Sequence, residues 1–387
     1  MRILSIHSRY QIRGGEDECR EAEEHLLREM GHVVEVYEDR NERVQQLHPM
    51  RVAVRSVWSR EAYRNVKQRL SENSFDAVHV QNFLPLISPS VYYAAKAKKV
   101  PVVQTLHNYR LLCPNGLFFR QGQVCENCIG MKVAWPGVQH GCYRESRAAT
   151  ATVATMLSIH HSLGTWNQLV DVYIALTQFA RQKFIQGGLP ADKIAIKPNF
   201  VHPDPRIGEG RGGYALFVGR LSVEKGLDTL LAAWEQLDGK IPLKIIGDGP
   251  LASEVVAATK KFDYIQWLGR LSVEEVYQVM GEAMMLIFPS KWYETFGRVA
   301  VEAFAKGTPV IAAKIGAIAE LVEHGLTGLH FCPADPQDLA AQVEWAIAHP
   351  HELSRMRYEA RQEFESKYTA MENYRRLAEI YQMAASG

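Results

Sequence analysis

MMLIFPSKWYETFGRVAVEAFAKGTPVIAA, residues 284–313, sets two apolar runs on either side of a helix-spaced segment. MMLIFP reads as a strand, VAVEAFA has the rhythm of a helix burying one face, and TPVIAA reads as a second strand. Two strands joined by a crossover helix make a parallel pair. The alternation runs outward from here in both directions. RILSI, HVVEVY, DAVHVQ, PVVQTL and DVYIALT precede it, each beside an amphipathic stretch, and YALFVGR, PLKIIGDG and YIQWLG follow the same rule nearer by. Between KIAIKPNF and YALFVGR lies VHPDPRIGEGRGG, rich in Pro and Gly and poor in apolar residues, which reads as a domain linker. The expected fold is α/β, with two doubly wound parallel-sheet (Rossmann-like) domains facing a cleft. Residues 1–200 would form the first, with a cysteine-bearing insertion at about 108–145, and 201–368 the second. A closing helix over 369–387 is placed to pack back on the first domain.

Bulk properties agree with that division. At about 150 residues per domain, 387 residues suggest two. Hydrophobic residues make up 47% and charged residues 22%, the balance of a globular protein and not of a disordered one. The net charge of +1 argues neither for nor against a nucleic-acid partner, and no nucleic acid is expected, since only one basic stretch would suit it. No apolar run reaches the length of a membrane span, and MRILSIHSRY lacks a basic n-region and cleavage site. The expected compartment is the cytoplasm.

Sheets of this kind bind ligands outside the carboxyl ends of their strands, so the residues just past each strand are the candidates. They are Gly14 and Gly15, His107, Gly219 and Arg220, Gly247, and Ser290 to Glu294. In GRLSVEKG (219–226), Arg220 follows a strand-ending glycine and Lys225 comes near a helix start; two cations and helix amides there suit a phosphate. A solvated loop arginine and a helix-face lysine are the plainer alternative. Glu302 sits inside the apolar helix, where a carboxylate must be paired or hydrogen-bonded. Adjacent ribose hydroxyls would serve, and so would a neighbouring Arg or Lys. The amides of Phe296 and Gly297, at the helix start beside Glu294, suit a sugar hydroxyl or a phosphate oxygen. His107 taken alone fits an ordinary structural histidine.

Five elements carry a resemblance that spans nearly the whole chain: Glu294 and Glu302 as E-x7-E, GRLSVEKG, IIGDGP, IKPNFV and RGGED (13–17). With them the chain resembles the retaining nucleotide-sugar-dependent glycosyltransferases of family 4, which have the GT-B fold. The resemblance implies that Arg220 and Lys225 hold the donor diphosphate and stabilise the leaving oxygen, with Glu302 on the ribose diol and Glu294 near the donor sugar. It implies that Phe296 and Gly297 present amides to that sugar or its phosphate, and that Gly219 and Gly247 belong to the donor site. Gly14 and Gly15 would let backbone approach phosphate and acceptor, and His107 would contact the transferred sugar. It implies transfer of a hexose from a UDP- or GDP-sugar to a carbohydrate or lipid-linked acceptor. No Asp-x-Asp follows a strand, so no catalytic metal is expected. A sugar-nucleotide epimerase or hydrolase, or a non-catalytic sugar-binding relative, is the alternative.

The insertion carries Cys113, Cys125, Cys128 and Cys142, with His140 as a substitute ligand. C-x2-C with flanking cysteines suits a structural zinc; disulfides, reduced thiols or an iron–sulfur cluster are the other readings. RVQQLHPMRVAVRSVWSREAYRNVKQR is basic with apolar residues at helical spacing, which suits a solvated face, or peripheral contact with the inner face of the membrane and a lipid-linked acceptor.

Overall fold

Alternating strands and helices build two parallel sheets in the computed structural model, which describes residues 1–11 and 14–386. Arg13 of the RGGED motif lies outside the described residues. The chain divides into two units, Met1–Phe118 with Glu126–Pro198 and Asn373–Gly387, and Phe119–Cys125 with Asn199–Glu372.

The first unit's strands are β1 (Arg2–Arg9), β2 (Val33–Arg40), β3 (Ala77–Asn82), β4 (Val102–Thr105), β7 (Val172–Ala175) and β8 (Ile194–Ile196); a two-stranded hairpin, β5 (Phe119–Arg120) with β6 (Gln123–Val124), intervenes in the chain. The sheet order is β2-β1-β3-β4-β7-β8, every pairing parallel. Central strands covered on both faces must be apolar nearly throughout, and Ile3, Leu4 and Ile6 of β1 and Val78 and Val80 of β3 are almost wholly buried. Helices start where a side chain can take up a spare backbone amide: Ser59, Ser146 and Thr177 accept from Ala62, Ala149 and Ala180. The last helix, Ala370–Ser386, lays Leu377, Ile380, Tyr381 and Ala384 against Ile3, Leu27, Ala77, Val103 and Ile174. Chain-terminal residues thus complete the core of the N-terminal sheet.

In the second unit β9 (Ala215–Val218), β10 (Leu243–Ile246), β11 (Ile265–Gly269), β12 (Met285–Phe288), β13 (Val310–Ala313) and β14 (Gly328–Phe331) stand in the order β11-β10-β9-β12-β13-β14, again all parallel. Trp234 anchors the core from helix Leu227–Leu237, fully buried with its indole N–H on the Ile241 carbonyl at 3.0 Å. From β9 the chain steps outward through β10 and β11, then returns to β12 on the other side. The strand order therefore reverses between β9 and β12, and the switch point lies at their carboxyl ends.

Candidate functional site

The loop after β9 and the loop after β12 meet at that switch point. Lys225 ends a single 3₁₀ turn, Val223–Lys225, and Gly226 follows at φ +73°. A Cβ on Gly226 would lie 1.9 Å from the Pro289 carbonyl oxygen, so only glycine lets the two loops come this close. Lys225 Nζ reaches Glu294 Oε1 at 2.6 Å, and the same oxygen accepts from Ser290 Oγ at 2.9 Å and Trp292 Nε1 at 3.0 Å. Three donors on one oxygen fix the carboxylate before any ligand arrives. Lys225 Nζ also lies over the Trp292 and Phe288 rings, at 5.5 and 5.9 Å from their centroids, which adds cation–π attraction. Lys291 N donates to the Glu224 carbonyl at 2.9 Å, a second tie between the loops.

Arg220 is exposed, one residue past Gly219. Gly219 N donates to the Ile246 carbonyl at 3.0 Å, and Leu221 N to the Asp248 carbonyl at 3.0 Å, so the loop after β9 is laced to that after β10. Gly247 has φ +135°, and its Cβ would fall 1.9 Å from the Gly219 carbonyl oxygen. Gly247 is thus a structural demand in its own right, whereas a Cβ on Gly219 would meet only ordinary contact with Phe217 at 3.5 Å. Beyond Glu294, Phe296 is buried edge-on to Tyr368, and Gly297 at φ +108° is the N-cap of helix Arg298–Ala305, whose first amides have no partner within the helix. Glu302 is 8% exposed and forms an ion pair with Arg298 Nε at 3.0 Å. The neighbouring-arginine alternative for Glu302 is what the structure contains, and any ribose contact is made by a carboxylate already paired.

In the first unit the glycine turn after β1 leads into helix Gly15–Glu29. Gly14 has φ −136°, and among the described residues no heavy atom lies within 4 Å of where a Cβ on Gly14 or Gly15 would stand. Folding does not require these glycines, and the space beside them is open. Asp17 closes the turn by accepting from Gly14 N at 3.1 Å and bonding His7 Nε2 at 2.8 Å. Burial favours a raised Asp17 pKa, but the bonds from His7 and Gly14 outweigh it and lower it. Glu16 Oε2 accepts from Tyr10 Oη at 3.0 Å and Asn108 Nδ2 at 3.3 Å, which joins the turn to the loop carrying His107. Burial raises the Glu16 pKa, and no partner reaches its buried Oε1 among the described residues. His107 Nε2 lies 2.7 Å from Gln81 Oε1, and burial pulls its pKa down to about 3.

Sequence reading singled out Gly14, Gly15 and His107 but not Tyr10, Gln81 or Asn108, and took in Glu16 only within RGGED; in the second unit it took in Trp292 only within Ser290–Glu294 and did not name Arg298 as the partner of Glu302. Trp292 two positions from Glu294 and Arg298 one turn before Glu302 were readable signals. Tyr10 and Gln81 depend on which strands neighbour β4, and nothing local announces them.

Among the described residues no three His, Cys, Asp or Glu side chains are grouped so as to hold a metal ion, and the six cysteines form no disulfide. Cys113 is buried, its thiol donating to Asn115 Oδ1 at 3.0 Å, and burial raises its pKa. No helix among the described residues is long and apolar enough to cross a membrane.

Comparison with known proteins places these features. The family described as Glycosyl transferases group 1 matches residues 207–363, and that described as Glycosyltransferase Family 4 matches 20–205. An uncharacterised glycosyltransferase of Methanocaldococcus jannaschii is 34% identical over 44% of this chain and 48% of its own length. Glycogen synthase of Mycobacterium tuberculosis is 32% identical over 47% of this chain and 45% of its own. The chain thus spans about half the length of these curated relatives. Among solved structures, Anabaena HepE in complex with UDP-glucose superposes with a TM-score of 0.71 at 20% identity over 99% of both chains. Sucrose-phosphate synthase from Thermosynechococcus elongatus gives 0.72 at 15% over 100% of both. These likenesses establish the GT-B fold.

Proposed function

The chain belongs to the group 1 glycosyltransferases, and on that premise we propose that it transfers a hexose from a UDP- or GDP-sugar to a carbohydrate or lipid-linked acceptor with retention of anomeric configuration. The observation that carries the proposal is the meeting of Lys225 and Glu294 at 2.6 Å on the switch point of the second sheet, just before the N-terminus of helix Arg298–Ala305. In this reading Arg220 and Lys225 bind the donor diphosphate. Glu294, held by Ser290 and Trp292, orients the sugar; Glu302 meets the ribose. Gly14, Gly15 and His107 of the first unit serve the acceptor and the transferred sugar.

The bond from the anomeric carbon to the diphosphate oxygen breaks, and the acceptor oxygen bonds that carbon on the same face. The acceptor proton passes to the departing phosphate oxygen. Charge grows on that oxygen, and preorganised cations lower the barrier by stabilising it, so the reading needs no catalytic metal. Glu294 and Glu302 are not an acid/base couple of the glycosidase kind, because Glu294 is engaged by Lys225 of the facing loop and Glu302 by Arg298 of its own helix. Helix Pro49–Val57 exposes Met50 and Val54 at 72% and 67% alongside Arg51, which supports an acceptor presented at an anionic membrane surface.

Release of nucleoside diphosphate from a panel of UDP- and GDP-sugars tests this. Lys225→Ala should release it about 10²-fold more slowly or worse, with the circular dichroism of the wild type. Undiminished turnover in that variant contradicts the mechanism. Free or isomerised sugar formed from donor alone would favour a hydrolase or epimerase instead.

A further inference from the structure

Glu294 is engaged before any ligand arrives, and by a group that the donor also needs. Its side chain is 10% exposed and that of Lys225 25%, so the pair is partly withdrawn from water and its charges are weakly screened. Lys225 Nζ, Ser290 Oγ and Trp292 Nε1 all donate to Glu294 Oε1, at 2.6, 2.9 and 3.0 Å. A hydroxyl and an indole are neutral, so of these three donors Lys225 alone brings charge. An ammonium has three N–H groups and can turn another toward a phosphate, but its single charge is then divided between two anions. The two loops are tied against drawing apart to relieve that competition: a Cβ on Gly226 would lie 1.9 Å from the Pro289 carbonyl oxygen, and Lys291 N donates to the Glu224 carbonyl at 2.9 Å.

We propose that the Lys225–Glu294 ion pair makes the donor site discriminate against spent nucleotide. A nucleoside diphosphate must share Lys225 with Glu294 and sets its own negative charge beside that carboxylate. A sugar nucleotide meets the same opposition but carries hydroxyls, which donate to Glu294 in the place that Lys225 gives up. The carboxylate then keeps its bonds while the ammonium turns to the diphosphate. Once the sugar has left, that compensation is gone and the charge of Glu294 works against retention of the product. The inference rests on the reading above, in which Lys225 binds the diphosphate and Glu294 meets the sugar; it gives the charge of Glu294 a second task.

The test is calorimetric titration of wild type, Glu294→Gln and Ser290→Ala, without acceptor, with UDP, GDP and a panel of UDP- and GDP-sugars. Glutamine keeps the shape and an acceptor oxygen but not the charge. Glu294→Gln should bind whichever of UDP and GDP the wild type binds about 10-fold more tightly, and gain less for the sugar nucleotide, so that the preference for intact donor falls. Glu294→Ala also removes the charge and should shift diphosphate affinity in the same direction, which carries the test if the glutamine variant lacks the circular dichroism of the wild type. Ser290→Ala loosens the carboxylate without discharging it and should bring no gain. Diphosphate affinity unchanged or weakened in the folded Glu294 variants overturns the proposal and leaves the functional reading standing. An equal gain in Ser290→Ala also overturns it, by assigning the effect to a looser loop. If wild type binds none of these ligands, or Lys225→Ala binds them undiminished, Lys225 is no diphosphate site, and the functional reading falls together with the proposal.

Discussion

Gly226 and Gly15 show two uses of one residue. Gly226 sits at φ +73° with the Pro289 carbonyl where a Cβ would go, so Gly226→Ala should cost about 3 kcal/mol by urea unfolding, from left-handed strain and a displaced loop. Gly15 opens a helix and has empty space beside it, so Gly15→Ala should leave stability unchanged or slightly raised while slowing transfer. Equal stability losses in the two variants would contradict the assignment of the first to folding and the second to ligand approach. The sequence made Arg220, Lys225, Glu294 and Glu302 legible because loop and helix spacing are local. It did not disclose that Lys225 closes on Glu294, since residues 69 positions apart meet only through the order of strands.

Strands buried on both faces were legible as apolar runs, and β9, β10, β12 and β13 lie where YALFV, PLKII, MMLIF and PVIAA predict. The strand Gly328–Phe331 was not, because GLHF is short and opens on a glycine. That glycine has a reason visible only in the sheet: a Cβ would lie 1.9 Å from the Val310 carbonyl oxygen across the strand pair. The final helix was expected over 369–387 by its place after the second domain, but the residues it meets were not legible. Tyr381 Oη bonds His79 Nδ1 at 2.8 Å, and Asn373 Nδ2 donates to the Pro198 carbonyl at 2.8 Å, polar pins inside an apolar contact. Tyr381→Phe should therefore destabilise the first unit by about 1–3 kcal/mol in chemical denaturation, since it strips a buried ring nitrogen of a partner while keeping the packing. A loss within error of zero would show that apolar packing alone holds this helix.

At the scale of the molecule, the two units should answer differently to acid. His79 and His107 are kept neutral mainly by burial, with pKa values of about 4 and about 3 against 6.5 unperturbed. Glu23 is held near 2 against 4.5. All three bind fewer protons folded than unfolded, so stability is complete near neutral pH and falls as pH drops, first through the histidine range below 6.5, then through that of Glu23 below 4.5. These groups belong to the first unit, whose urea midpoint should decline between pH 7 and pH 4 more steeply than that of the second; coincident declines would contradict this origin. The proposed donor site is read as resting on Arg220 and Lys225. Calorimetric titration of wild type, Arg220→Ala and Lys225→Ala with UDP and GDP, each against its monophosphate, tests that dependence most directly. Wild type should bind one diphosphate at least about 10-fold more tightly than the matching monophosphate, and either substitution should erase most of that preference. A preference kept intact in both variants would contradict the central claim.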